Sequence, residues 1–325
     1  MQTSPPLLRL DDLSVDFVSG PRCLSAVHKV NLVLQPGVVT CLVGESGCGK
    51  SLTARAILRL MPGSAKTGGR VILRGTDLLA LPEKALRGIR GHKIGMIFQE
   101  PMTSLNPVLT VGEQVAEPLR LHLNMTRDEA RKETERLFGD VGISSPRSRY
   151  DDYPHQLSGG MRQRVMIAMA LACKPDILLA DEPTTALDAT IQGQILRLIL
   201  ERTRQRGMAV LLITHDLAVV AQVADFVGVM YAGRLVEYAP AREFFASPKH
   251  PYSIGLMACA AKSLRGDSGR LTAIEGTVPS LAGMPPGCAF HPRCPRAQTR
   301  CVRQAPPAAT DGQRRTACWL GGDGQ

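Results

Sequence analysis

The octapeptide Gly44-Glu-Ser-Gly-Cys-Gly-Lys50-Ser51 constrains this chain more than any other feature. It follows the apolar, β-branched run 38–43 and precedes an amphipathic stretch from Ser51 to Leu60. Spacing of the form G-x-x-x-x-G-K-[ST] between a strand and a helix is a phosphate-binding loop. The glycines let successive backbone N–H groups curl around phosphate oxygens, and the following helix points its positive end at them. Lys50 then neutralises the β and γ phosphates while Ser51 holds Mg²⁺. The plainer alternative, a glycine-rich turn with a chance lysine, sits poorly with flanks of the required type. All of Gly44, Glu45, Ser46, Gly47, Cys48, Gly49, Lys50 and Ser51 are therefore expected to line a nucleotide. Cys48 has no chemical part of its own and is expected to pack.

A loop of this kind needs a strand that runs straight into a helix, and the rest of the chain follows suit. Apolar runs at 93–98, 177–180, 209–213 and 226–231 alternate with amphipathic stretches at 190–205 and 217–224. Buried strands alternating with helices predict an α/β fold with a largely parallel central sheet. Residues 7–17 and 24–34 alternate with period two, which predicts antiparallel strands beside that sheet. From Gln99 to Gly160 strand patterns vanish. Thr126 with Glu129 forms a capping box that opens a helix through about Phe138, with Gly139 and Gly142 at its end. Its charge-rich stretch from Arg127 to Arg136 reads as a solvated face. After about Pro248 the texture turns Pro-, Gly-, Cys- and Arg-rich with little periodicity, so a boundary is placed near residue 250. The net charge of +10 favours anionic partners without choosing among them. No apolar run is long enough to span a bilayer, and Met1 to Asp12 lacks the order of a secretory signal. The chain is expected to stay in the cytoplasm, with any membrane contact peripheral.

The strand at 177–180 runs into Asp181 and Glu182. That order would place Asp181 beside the Mg²⁺ held by Ser51 and Glu182 beside the water that attacks the γ-phosphate. Just upstream, Leu157-Ser158-Gly159-Gly160-Met161-Arg162-Gln163-Arg164 closely resembles the signature motif of ABC-transporter ATPases. A serine and two glycines at a helix N-terminus make a second anion cradle. A serine cap followed by a glycine turn is the bland reading. In that family the cradle closes over the γ-phosphate of ATP bound to the other subunit of a head-to-tail dimer. Met161 departs from the Gln most common in the superfamily, although peptide-importer members tolerate it. Gln99 resembles the family's Q-loop, Thr185-Ala-Leu-Asp188 its D-loop, and His215 its switch histidine. The resemblance implies that Gln99 senses Mg²⁺ and γ-phosphate, that His215 contacts the γ-phosphate, and that Phe17 stacks on adenine.

The likeness narrows further at Phe98-Gln-Glu-Pro-Met-Thr-Ser-Leu-Asn-Pro107, Tyr153-Pro-His-Gln-Leu157 and Ser247-Pro-Lys-His-Pro-Tyr252, which resemble the dipeptide, oligopeptide and nickel importer group, most of all its D-type ATPases. It implies a RecA-like ABC ATPase core (residues 1–250) with an antiparallel β subdomain, an inserted helical subdomain at about 99–163, and a Cys-rich C-terminal extension (251–325). It further implies ATP and Mg²⁺ as cofactors, two membrane-spanning permeases, a second ATPase subunit of F type, and an extracytoplasmic binding protein as an indirect partner. Dipeptide is the first expectation for the cargo, with longer peptides, nickel or another small peptide-like solute open. A soluble ABC ATPase acting on ribosome or DNA is less suited to a single cassette, and no nucleic acid is expected.

Cys288, Cys294, Cys301 and Cys318 are spaced C-x5-C-x6-C-x16-C in a tail with little apolar pattern. Such a tail needs a reason to order, and a metal centre supplies one. The spacing is not that of a zinc ribbon with its tight C-x2-C pairs. The family resemblance implies a four-iron four-sulfur cluster on these thiols; zinc and unligated thiols stay open. His291 is a rival ligand or, more simply, a surface imidazole. Cys23, Cys41, Cys173 and Cys259 are expected to pack.

Overall fold

The computed structural model describes residues 5–19, 22–100, 104–184, 187–265 and 274–320. Among the described residues, twelve strands run in chain order as β1 (Leu8–Ser19), β2 (Arg22–Leu34), β3 (Val39–Val43), β4 (Ala65–Leu73), β5 (Thr76–Asp77), β6 (Ile94–Ile97), β7 (Ile177–Asp181), β8 (Ala209–Ile213), β9 (Phe226–Tyr231), β10 (Arg234–Pro240), β11 (Ala309–Asp311) and β12 (Arg314–Thr316). The chain divides into two compact units.

One unit comprises Met1–Leu7, Leu34–Val39 and Ala80–Ile213. Its strands β6, β7 and β8 pair in parallel, with Ile94 opposite Ile177 and Ile177 opposite Ala209. Every residue of the three is buried, as expected of strands covered on both faces. The stretch without strand signal folds as helices Val111–Leu123, Arg127–Asp140, Pro146–Arg149 and Gly159–Leu171. Thr126 and Glu129 close the expected capping box, Glu129 Oε2 accepting from the Thr126 N–H at 2.8 Å. Helix Arg127–Asp140 is more than a solvated face. Arg136 joins Glu133 and Asp140, Asp140 also takes Arg202, and Arg131 reaches Asp151 while its guanidinium lies 4.2 Å from the Tyr150 ring centre.

The other unit comprises Leu8–Val33, Thr40–Leu79 and Thr214–Gln325. In it β2-β1-β4-β5 form a four-stranded sheet whose β1 and β4 pair antiparallel, Phe17 lying opposite Ala65. The strand β3 runs parallel to β9, and β9 turns through Ala232 and Gly233, both at positive φ, into antiparallel β10. From the tail, β12 pairs with β10 and β11 with β12. The tail also contains a helix, Pro251–Arg265, that the sequence pattern did not signal. Its apolar and small residues surround the axis too evenly to show a period. Among the described residues no helix is long and apolar enough to cross a membrane.

Candidate functional site

The phosphate-loop candidate is built between β3 and helix Lys50–Ile57. Gly49 caps that helix at φ 100°, where a side chain would be strained and its Cβ would sit 2.9 Å from the Ala26 carbonyl oxygen. A Cβ on Gly44 would overlap the Met230 carbonyl oxygen. Lys50 is buried, and its ammonium donates to the carbonyls of Gly44 at 2.8 Å and Glu45 at 2.9 Å. Cys48 packs as expected, fully buried, and burial pushes its thiol pKa up. Ser46 and Gly47, at the loop crest, face solvent. In the same unit His215 is exposed immediately after Thr214. Asp216 caps the next helix by accepting from Ala218 N at 2.8 Å and Val219 N at 3.3 Å. Phe17 is half-buried in β1.

In the first unit, Asp181 ends β7 and is wholly buried, and Glu182 follows at φ 48°. A positive φ costs a non-glycine residue of order 1 kcal/mol and is held only by its surroundings. Here the Glu182 N–H donates to Ile213 O at 2.9 Å, and Gln163 Nε2 donates to Glu182 O at 3.4 Å. Gln163 lies on helix Gly159–Leu171, so the helix that begins at Ser158 directly braces the backbone of Glu182. Sequence reading missed both this strain and the role of Gln163. The backbone φ has no sequence signature, but Gln163 stood inside the signature motif.

Ser158 caps its helix, its hydroxyl accepting from Met161 N at 3.3 Å, and Ser158 and Gly159 are exposed while Gly160 is half-exposed. The cap and an outward-facing anion cradle thus coexist. Gln99 is exposed two residues beyond β6. Asp188 caps helix Ala189–Arg206 by accepting from Ile191 N at 3.0 Å. Thr185 and Ala186 of the D-loop, and Pro101 to Thr103 after Gln99, lie outside the described residues.

The four tail thiols converge. Cys288, Cys294, Cys301 and Cys318 line one small cavity of about 20 Å³ together with Phe290, and Cys288 N–H donates to Cys301 O at 2.8 Å. Burial pushes the Cys288 and Cys294 thiols up, and the neighbouring thiols add to this. Among the described residues, no three His, Cys, Asp or Glu side chains stand in a metal-holding arrangement. His291 is half-buried, its Nδ1 2.9 Å from the Cys288 carbonyl oxygen. Cys41 and Cys173 are buried and Cys259 half-buried. Cys23 corrects the expectation, being exposed at the start of edge strand β2, where cover is least.

Fold and loops together define an ATP-binding cassette. The chain superposes on the dimeric cassette MJ0796 in a post-hydrolysis state with ADP and Pi at a TM-score of 0.67 and 31% identity, covering 72% of this chain and 99% of that one. Residues 27–185 match the ABC transporter family, and residues 236–301 match the oligopeptide/dipeptide transporter C-terminal region. The dipeptide transport ATP-binding protein DppD of Bacillus subtilis (strain 168) is 49% identical over 317 residues, 97% of this chain and 94% of that protein. The oligopeptide transport ATP-binding protein OppD of Escherichia coli (strain K12) is 48% identical over 318 residues, 98% and 94% respectively. The chain belongs to the ABC-transporter ATP-binding proteins that carry this C-terminal region.

Proposed function

We propose that the chain is the ATP-hydrolysing subunit that powers import of dipeptides or oligopeptides across a membrane. The observation that carries this reading is likeness along nearly the whole length, tail included, to proteins named for dipeptide and oligopeptide transport. In this reading it works peripherally at the cytoplasmic face, against two permeases and beside a second ATPase of F type. An extracytoplasmic binding protein hands over the cargo. Helices between about 99 and 163 form the subdomain that meets the permeases, with Gln99 as its link to the nucleotide.

The chemistry follows from the chain's own groups. Backbone N–H groups of the loop and Lys50 take the β and γ phosphates, and Phe17 stacks on the adenine. Ser51, Gln99 and Asp181 present hard oxygen donors of the kind Mg²⁺ prefers. Held by these residues, Mg²⁺ would supply neutralisation of phosphate charge. Glu182, held at its unusual φ by Gln163 and Ile213, takes the proton of the attacking water. His215 steadies the γ-phosphate. Ser158, Gly159 and Gly160 serve the ATP of the neighbouring subunit, and Asp188 lies at that junction. The tail thiols are soft donors suited to a four-iron four-sulfur cluster, and their convergence on one cavity supports that assignment, although their spacing falls short of a metal-holding arrangement. No step of hydrolysis runs through it. Iron and acid-labile sulfide in an anaerobic preparation test it, and absence of both rejects it.

The import reading is tested by pull-down of the tagged chain from gently solubilised membranes with mass spectrometry of its companions. Two permeases and a second ATPase are expected. Recovery solely from the soluble fraction, with ribosomes or repair factors, would reject it.

A further inference from the structure

Glu45, the second residue of the phosphate loop, is held at three points. Its backbone N–H donates to the Tyr252 hydroxyl at 2.8 Å. Its carboxylate accepts from Arg293 Nη1 at 3.0 Å. Its carbonyl accepts from Lys50 Nζ at 2.9 Å. The first two partners come from 207 and 248 residues away, in the C-terminal region. We propose that Tyr252 and Arg293 are positioning residues for ATP, clamping Glu45 so that the loop stands in its phosphate-binding shape before nucleotide arrives.

Both partners are themselves immobilised, as a clamp requires. The Arg293 side chain is only 6% exposed. Its Nε donates to Glu275 O at 2.8 Å, its Nη2 to Ile274 O at 2.9 Å, and its Nη1 also to the Tyr231 hydroxyl at 3.4 Å. Tyr252 is wholly buried, its ring 4.7 Å from Tyr231 and 5.4 Å from Phe290. Burial raises its hydroxyl pKa, which keeps it protonated and neutral.

The loop needs such help because of its composition. Gly44, Gly47 and Gly49 all stand at positive φ, and glycines lose more conformational freedom on ordering than other residues. Lys50 must also exchange the Gly44 and Glu45 carbonyls for phosphate oxygens without the loop collapsing around the vacated carbonyls. Fixing Glu45 from outside meets both needs in advance, and this is preorganisation for the ligand. The Glu45 N–H, engaged by Tyr252, is not among the phosphate donors. That duty falls to later residues of the loop.

The inference rests on the reading of Gly44–Ser51 as the nucleotide loop, so the test includes Lys50→Ala. ATP affinity is measured with Mg²⁺ and a fluorescent ATP analogue on the full chain, with KM and kcat alongside. Tyr252→Phe keeps the ring and removes the acceptor; loss of one neutral hydrogen bond predicts about fivefold weaker binding. Arg293→Met removes a charge-assisted bond and predicts about 10- to 100-fold, with partial rescue by Arg293→Lys. Glu45→Ala combined with Arg293→Ala should be no weaker than the worse single variant, because the two act through one contact. Both effects should fall on Kd and KM more than on kcat.

Wild-type affinity in Tyr252→Phe and Arg293→Met, with binding lost in Lys50→Ala, overturns the clamp and leaves the loop reading standing. A lower melting temperature without a change in Kd equally overturns it, since that would be a structural role alone. Undiminished binding in Lys50→Ala brings down both readings. Because Tyr252→Phe is nearly isosteric, misfolding of the Arg293 variants does not stop the test.

Discussion

Gly159→Ala separates folding from catalysis at a single atom. Gly159 is the first residue of helix Gly159–Leu171, its φ is not positive, and a Cβ built there meets no atom of the chain within 4 Å. The chain itself therefore has no steric reason to require glycine. Alanine is favoured over glycine by about 1 kcal/mol inside a helix, and by less in its first turn, so folding stability should stay level or rise by up to about 1 kcal/mol. In the proposed reading, the open space is reserved for a phosphate of the neighbouring subunit's ATP. A backbone N–H reaches a phosphate oxygen at about 2.9 Å, and a methyl on the adjoining Cα crowds that oxygen outward. Losing one charged hydrogen bond, about 1.5–3 kcal/mol, slows turnover about 10- to 100-fold. Urea unfolding supplies the stability, and steady-state ATPase at rising protein concentration supplies the turnover. ATP binding to the chain's own loop should not change. Wild-type ATPase in this variant would refute the idea that the space serves a phosphate. A stability loss above about 1 kcal/mol would refute the reading of the space as open.

Gly95→Ala should behave oppositely, since its Cβ would overlap the Ala170 carbonyl oxygen of the signature helix; overpacking costs about 2–3 kcal/mol, a fall in Tm of about 4–12 °C read by calorimetry. Glu182→Gln should keep ATP binding and abolish turnover, trapping a closed dimer on gel filtration; undiminished ATPase would remove Glu182 as the base. His250 is buried, which lowers its pKa from 6.5 to about 4, and its Nδ1 accepts from Tyr252 N at 3.1 Å. Unfolding lets the ring take up a proton, so its contribution is full above pH 6.5 and is lost as pH falls toward 4, about 3 kcal/mol in all. His250→Asn should flatten that part of the stability curve relative to wild type, and an identical acid limb in both would refute the assignment.

What could be read in the sequence was what short stretches of chain decide for themselves. The phosphate loop is a backbone shape made by glycines and a lysine at set intervals, and its strand and helix flanks are visible in the same few residues. The Thr126–Glu129 capping box is likewise local, and it formed as expected. The strands β3, β6, β7, β8 and β9 were legible because fully buried strands are continuous apolar runs. Strand β4, by contrast, holds Gly68 and Gly69 among charged neighbours, and β11 and β12 are three residues each, too short for any period to show. They exist because β1 offers unpaired backbone to β4, β10 to β12, and β12 in turn to β11. The positive φ of Glu182 depends on Gln163 and Ile213, one on a helix and one on another strand. Likewise, a tyrosine and an arginine in a Pro-rich tail gain meaning only when folding carries them more than two hundred residues back to Glu45. The sequence alone determined which groups could do the chemistry, because that rests on residue type and local backbone. Tertiary structure decided what holds those groups in place, because contacts distant along the chain leave no periodic trace in it.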